Sequence, residues 1–248
     1  MRLVFCGTNS GGGGCPAVYE TDRGTVVVQG WKIDRQDEAY EDARHLAENE
    51  ELVEVPRELL ERFAPRSAPD PSELVKGEAF SALFRDFAYT ARRLETRTHY
   101  DIENERESFD QFLAGGQIDD LHWFEPWLET MRSQTGQGRT VSRVRVVPPE
   151  LTDYLRFELF LARENAAAGE DIRYLDRKTA SLAGLPDKDF WLFDSHTLAV
   201  LHFTPEAQLL GAEIITDPAV VVEHARWLDA AFQHAVAYEE FVKEHPPR

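Results

Sequence analysis

The stretch Arg139-Thr140-Val141-Ser142-Arg143-Val144-Arg145-Val146-Val147-Pro148-Pro149-Glu150-Leu151-Thr152-Asp153-Tyr154-Leu155-Arg156-Phe157-Glu158, continuing to Glu164, decides the reading of the fold. Val141, Val144, Val146 and Val147 are β-branched and alternate loosely with Ser142, Arg143 and Arg145, as in a strand with one or both faces covered. Pro148 and Pro149 have no amide proton to give a ladder, so the strand stops there. The helix that follows carries Leu151, Tyr154, Leu155, Leu159, Leu161 and Ala162 on one broad arc, widened by Phe157. Glu158 falls almost at the middle of that arc. A buried carboxylate without a partner is costly, so Glu158 must meet a cation or keep its proton. Arg143 and Arg145, on the strand just before, are the nearest candidates. The plain reading is a structural ion pair tying helix to sheet; the sharper one is a ligand-binding or catalytic carboxylate.

At 248 residues the chain is long enough for one large domain or two smaller ones with real cores. Its apolar content of 42% argues against wholesale disorder. No apolar run approaches the ~20 residues that span a bilayer, and the patch Leu3-Val4-Phe5 is too short for a secretory signal. The expected location is the cytoplasm, with Cys6 and Cys15 reduced or structural rather than joined. Lys and Arg number 27 against 45 Asp and Glu, a net charge of −18 that repels phosphate backbones and suits a basic partner. Ten of the acids lie between Gln36 and Glu61, against only Arg44 and Arg57. A solvated helix face is the ordinary explanation and a docking surface the other.

The pattern predicts an α+β protein: a small β-rich module with a helix over residues 1–64, a Pro-rich linker over 65–71, and a mixed α/β domain over 72–248, its sheet covered by helices. In the first part, strands are expected at Leu3–Phe5, Ala17–Glu20, Thr25–Gln29 and Leu52–Val55. The turn Thr21-Asp22-Arg23-Gly24 closes a hairpin, a charged helix is expected over Ile33–Glu48, and Pro56 opens a short helix to Phe63. The loop Ser10-Gly11-Gly12-Gly13-Gly14 leads to Cys15-Pro16 and a strand rather than a helix N-terminus, which argues against a phosphate cradle. In the second part, helices are expected over Ser72–Arg92, Glu105–Leu113 and His122–Gln134. Strands are expected at Leu94–Arg97, Ile172–Leu175, Phe190–Phe193, Thr197–Phe203 and Gln208–Ile215. Gly169 closes the central helix, and Asp217-Pro218 starts a last helix running to about Ala235.

Four blocks stand in order: Arg93-Leu94-Glu95-Thr96-Arg97 with Tyr100; Leu151 to Glu158; Ala168-Gly169-Glu170-Asp171-Ile172-Arg173; and Asp189-Phe190-Trp191-Leu192-Phe193-Asp194. Together, over about Gly77 to Tyr238, they resemble an actinobacterial domain-of-unknown-function family, number 6879. The segment Ser10 to Gln29 is similar in pattern to a second, small acidic actinobacterial family of unknown function, number 397, although Gly30-Trp31-Lys32 stands where that family has Arg-Asp-Ser. Both resemblances imply genes beside XRE-type helix-turn-helix regulators, and the second implies action through such regulators in a toxin–antitoxin-like partnership. The order strand, long helix, strand, hairpin and Asp-Pro helix also resembles half of a phospholipase D-like fold. That resemblance implies a degenerate, non-hydrolytic copy, because His196 is followed by Thr197 and Leu198 rather than by a Lys two residues on.

Glu95, Arg97, Tyr100, Arg143, Arg145, Asp153, Arg156, Glu158 and Trp191 form the candidate ligand-binding set. If the strands around Leu94 and Val144 are neighbours, the arginines line a pocket for an anionic ligand, with Tyr100 and Trp191 as walls. Asp153 and Arg156, three apart on the outer side of the central helix, are also explained by a surface ion pair. His196 and His202 share a face on an unbroken strand, but two surface imidazoles explain them better than a metal, and Cys6 with Cys15 lacks the second pair that zinc needs. No metal, cofactor or direct nucleic-acid contact is expected. The leading expectation is a non-enzymatic regulatory protein: an acidic partner of a basic XRE-type helix-turn-helix regulator, with a small anion as the ligand sensed. The alternative is an enzyme of unknown class with its site around Arg143, Arg145 and Glu158.

Overall fold

A computed structural model describes residues 1–8, 16–43, 46–63, 70–115, 118 and 120–246. The Gly-rich loop, Cys15 and most of the Pro-rich linker lie outside the described residues. The chain divides into two compact units, Met1–Ala68 and Pro69–Arg248.

The first unit holds β1 (Leu3–Thr8), β2 (Ala17–Thr21) and β3 (Val26–Gln29) in one antiparallel sheet, in that order. Gly24, at φ +70°, makes the β2–β3 turn, and its amide donates to Thr21 O at 3.2 Å. The pair β4 (Trp31–Lys32) and β5 (Val53–Glu54) flanks α1 (Ala39–Asp42), and α2 (Arg57–Phe63) closes the unit. Among the described residues of the expected helix over Ile33–Glu48, only the single turn of α1 is helical. Asp34 and Asp37 accept the amides of Gln36 and Ala39, both at 2.9 Å, which offers the backbone local turns instead of a helical ladder. Glu51 then holds the segment down through Arg35 (2.8 Å) and Tyr40 Oη (2.8 Å). Asp37, Glu38, Glu41, Asp42, Glu48, Glu50, Glu54 and Glu58 are exposed.

The second unit contains α3 (Gly77–Asp86), β6 (Thr90–Glu95), a 3-10 turn (Glu103–Glu105) running into α4 (Arg106–Leu113), α5 (Glu125–Gly136), β7 (Thr140–Val147), α6 (Asp153–Ala167) and β8 (Asp171–Asp176). There follow α7 (Arg177–Leu182), β9 (Phe190–Phe193), β10 (Thr197–Phe203), β11 (Leu209–Ile215), α8 (Pro218–His234), β12 (Val236–Ala237) and α9 (Tyr238–Glu244). Seven strands form one mixed sheet in the order β11-β10-β9-β6-β7-β8-β12. Strands β6, β7 and β8 are parallel, whereas β9, β10 and β11 form an antiparallel meander beside β6. Every residue of β7 after Thr140 is buried, as both faces are covered. Thr152 caps α6 through Leu155 N (3.2 Å), and Asp217 caps α8 through Ala219 N (2.9 Å) and Val220 N (3.1 Å).

Two expectations for this unit are corrected. The helix over Ser72–Arg92 ends at Asp86, because Ala91 and Arg92 belong to β6, which begins four residues before the expected Leu94. The Asp194 carboxylate collects the amides of Ala88, Tyr89 and Thr90 at 2.7–2.9 Å and so stops the helix where the chain must enter the sheet. The chain also continues past α8 into β12 and α9, where Phe241 stacks on Tyr174 at 4.1 Å.

Candidate functional site

Period-2 alternation in β6 and β7 turns Arg93, Glu95, Arg143 and Arg145 to the same face of the sheet. Register then sets them side by side: Arg93 lies between Arg143 and Trp191, and Glu95 beside Arg145. Aromatic residues of α3, α5 and α6 cover this face and make one core with it, including Phe84, Trp127 and Phe157.

The charges close on one another. Glu95 receives Arg93 at 2.8 Å, Arg143 at 3.2 Å and Arg145 at 2.8 Å. Arg143 reaches Glu170 at 2.7 Å, Arg145 reaches Glu158 at 2.5 Å, and Arg93 stands 3.7 Å from Asp189. Burial alone pushes the Glu95 carboxyl up, but the charges of Arg145, Arg93 and Arg143 more than reverse it and hold the group well below its usual range. Burial opposes the charge on Arg143 and on Arg145, yet Glu170 and Glu95 around the first, and Glu158 and Glu95 around the second, keep both guanidinium groups firmly protonated. Asp189 accepts from Thr96 N and Thr96 Oγ1 at 2.8 and 2.9 Å and from Tyr100 Oη, while its burial pushes its pKa up against the pull of Arg93.

Above this floor lies a cavity of about 740 Å³, in the range of small-molecule sites. Arg93, Glu95, Arg143 and Trp191 form its floor, and Phe80, Phe84, Phe124 and Trp127 an aromatic wall. Leu161, Asn165 and Glu158 of α6 face it, and Trp127 Nε1 donates to Asn165 Oδ1 at 2.9 Å. The exposed side chains of Ile102, Glu103, Arg106 and Leu209 belong to its rim, where Arg106 is held by Asp101 at 2.8 Å.

One corner is chemically distinct. Tyr154 Oη lies 2.9 Å from Glu105 Oε2 and 3.0 Å from Glu158 Oε1. A phenol has one proton and cannot donate to two carboxylates, so one of these contacts needs a proton carried by a carboxyl group. Glu158 has Arg145 beside it; Glu105, only 7% exposed, has no cation of its own. Burial, and then the Glu158 carboxylate, push Glu105 up to about 8. The resulting chain runs from the Glu105 carboxylic acid to Tyr154 and on to the Glu158 carboxylate.

A family described as Domain of unknown function (DUF6879) has a model that matches residues 78–243, the stretch containing this whole cavity. The chain belongs to that family. No curated protein matches the chain.

In this family member, Glu95, Tyr100, Arg143, Glu158 and Trp191 of the candidate set meet at the cavity, and Arg145 joins the network from behind its lining. Arg97, Asp153 and Arg156 do not line it. The Arg97 guanidinium lies over the Phe203 ring at 4.7 Å, and Asp153 and Arg156 form no ion pair with each other, which corrects that reading. His196 precedes β10 in a turn with positive φ at Asp194 and Ser195, while His202 pairs with Glu213 at 3.1 Å, so the two do not act together. Among the described residues no three metal-ligating side chains gather, and no helix is long and apolar enough to cross a membrane. Sequence reasoning missed Arg93, Glu105, Glu170 and Asp189. Arg93 was legible in the alternation Arg93-Glu95-Arg97, and Glu170 and Asp189 each fell within a block of the family pattern; Glu105 carried no signal beyond an acid at a helix start.

Proposed function

We propose that this protein is a non-enzymatic, ligand-binding regulatory module. Its second unit takes a small molecule into the sheet-and-helix cavity, and its first unit presents an acidic surface to a basic XRE-type helix-turn-helix regulator in the cytoplasm. The observation that carries this reading is an open cavity whose floor is a self-neutralising network: Arg93, Arg143 and Arg145 are each committed to a carboxylate rather than aimed at a reacting atom. Among the described residues no Ser, Thr, Cys, His or Lys lines that cavity, which leaves its carboxylates and Tyr100 as its only nucleophilic side chains. An anionic ligand would have to displace those carboxylates, which favours a ligand without net negative charge.

The exposed acids from Asp37 to Glu58 support the partner half of the reading, as does the resemblance of Ser10–Gln29 to the small acidic actinobacterial family 397 encoded beside such regulators. The tests are separate. Fragments that raise the melting temperature of the full chain should lose their effect in Leu209→Trp, which narrows the mouth; hits indifferent to that change, or none in a broad panel, refute the ligand half. The chain should co-purify with XRE-type regulators of its host at low salt, with binding weakened by salt and by Asp37→Lys with Glu41→Lys; no complex at low salt refutes the partner half.

A second reading, an enzyme working near Arg143, Arg145 and Glu158, is favoured by one observation: a carboxyl group without a cation, Glu105, and one paired with Arg145, Glu158, share a cavity and a Tyr154 contact. Turnover of any ligand identified above, abolished by Glu158→Gln, would establish it.

A further inference from the structure

We propose that the ligand is a protonated organic amine with an apolar, aromatic-sized body, its ammonium group taken by Glu105 and its body by the Phe80–Phe84–Phe124–Trp127 wall. This rests on the cavity being a ligand site and adds the ligand's charge and shape.

The argument begins with which charges in the cavity are already met. Every guanidinium group that lines it has a carboxylate partner, Glu95 for Arg93 and Arg143 and Asp101 for Arg106, although Arg93 Nε donates no hydrogen bond. The lining carboxylates Glu95 and Asp101 are met by those same groups, and Glu158 by Arg145. Inside the cavity, that leaves Glu105 without a cation. It is only 7% exposed, it lines the cavity, and the one hydrogen bond of its carboxyl group is made through Oε2 with Tyr154. At neutral pH Glu105 therefore holds its proton, and it can ionise there only when a positive charge comes beside that carboxyl group.

The wall has the complementary chemistry. Phe84 makes edge contacts with Phe80 at 5.4 Å, Trp127 at 5.2 Å and Trp191 at 4.9 Å, a continuous aromatic surface. Such a surface buries an apolar body and tolerates a nearby cation through its ring faces. Glu103, exposed at the rim, adds a second negative charge on the way in.

Binding has a proton balance. Before a ligand binds, Glu105 carries the proton that the Tyr154 contacts require. When the ammonium docks, that proton leaves to solvent, Glu105 becomes a carboxylate paired with the ligand, the amine keeps its own proton, and Tyr154 donates its one proton to only one of its two carboxylate neighbours. The groups that set this equilibrium are Tyr154 and Glu158 from α6, Glu95 and Arg145 from the sheet, His99, whose ring packs on Tyr154 at 4.8 Å, and Glu103 and Arg106 beside it in sequence.

The test uses the full chain and three probes of one shape: 2-phenylethylamine, 2-phenylethanol and 3-phenylpropanoate. Calorimetric titrations at pH 7 run in two buffers of different ionisation enthalpy. The amine should bind at least tenfold more tightly than the alcohol, and the carboxylate more weakly still. Close to one proton should be released per amine bound. Glu105→Gln should melt cooperatively, bind the amine at least tenfold more weakly and release no proton; Glu103→Gln should retain the release. Amine binding without proton release, or undiminished in Glu105→Gln, overturns the inference. If the alcohol or the carboxylate binds as well as the amine and Leu209→Trp abolishes that binding, the cavity stands as a ligand site and the cation inference falls. If none of the three binds at millimolar concentration the cation inference also falls, and the broader fragment panel alone then judges the cavity.

Discussion

Replacing Glu105 by glutamine isolates the cost of keeping a carboxyl group in the corner beside Tyr154 and Glu158. The folded chain raises this group from 4.5 to about 8, through burial first and the Glu158 charge second. Because the folded pKa is raised, the folded state holds a proton that the unfolded chain has already released. The stability this confers is complete below about pH 4.5, falls as pH rises, and is gone above about pH 8, where Glu105 is ionised in both states. At ~1.4 kcal/mol per pKa unit the full loss is at most ~5 kcal/mol, and ~3 kcal/mol once water in the cavity screens the new charge. The amide is close in shape to the protonated acid and does not titrate. For a domain of this size ~1 kcal/mol moves the melting midpoint by about 2–4 °C. Glu105→Gln should therefore melt on the order of 10 °C above the natural protein at pH 9, with the two within a few degrees of each other at pH 5. Scanning calorimetry of both proteins from pH 5 to pH 9 at fixed ionic strength measures this. A difference that stays constant across the range, or one that grows towards acid, refutes the proton assignment.

Glu95→Gln strips the carboxylate that faces three guanidinium groups; urea unfolding should show a loss of ~3–5 kcal/mol, and a loss below ~1 kcal/mol would mean that the network is not held in this way. Asp194→Ala removes the acceptor for the amides of Ala88, Tyr89 and Thr90, so hydrogen exchange there should accelerate and stability fall by ~2–3 kcal/mol. The fourth expectation concerns His224, which is packed edge-on against Phe190 and Trp227 and whose pKa burial lowers to about 4. Its depressed value means that the stability it protects is present above about pH 6.5 and lost as pH falls towards 4, so His224→Leu should flatten the acid limb of the stability curve by ~1–3 kcal/mol.

The sequence by itself determined the local elements that depend on nearest neighbours. The valines of β7 and the two prolines behind them, the arc of α6, Gly169 at φ +94° and the Asp217-Pro218 start of α8 all stand where the pattern puts them, because pleat, helical period and capping are set within a few residues. It also determined that Glu158 needed either a cation or its own proton. Where the chain departs from its local pattern, a distant group decides: Asp194, more than a hundred residues on, ends α3 and brings β6 forward. Only the tertiary structure decided the site. Glu105, Tyr154 and Glu158 come from two helical segments, and Arg93, Glu95, Arg143 and Trp191 from three strands whose pairing no local period specifies. The ionisation of Glu105 follows from burial and from the charge of Glu158 beside it, and both exist only when the chain is folded.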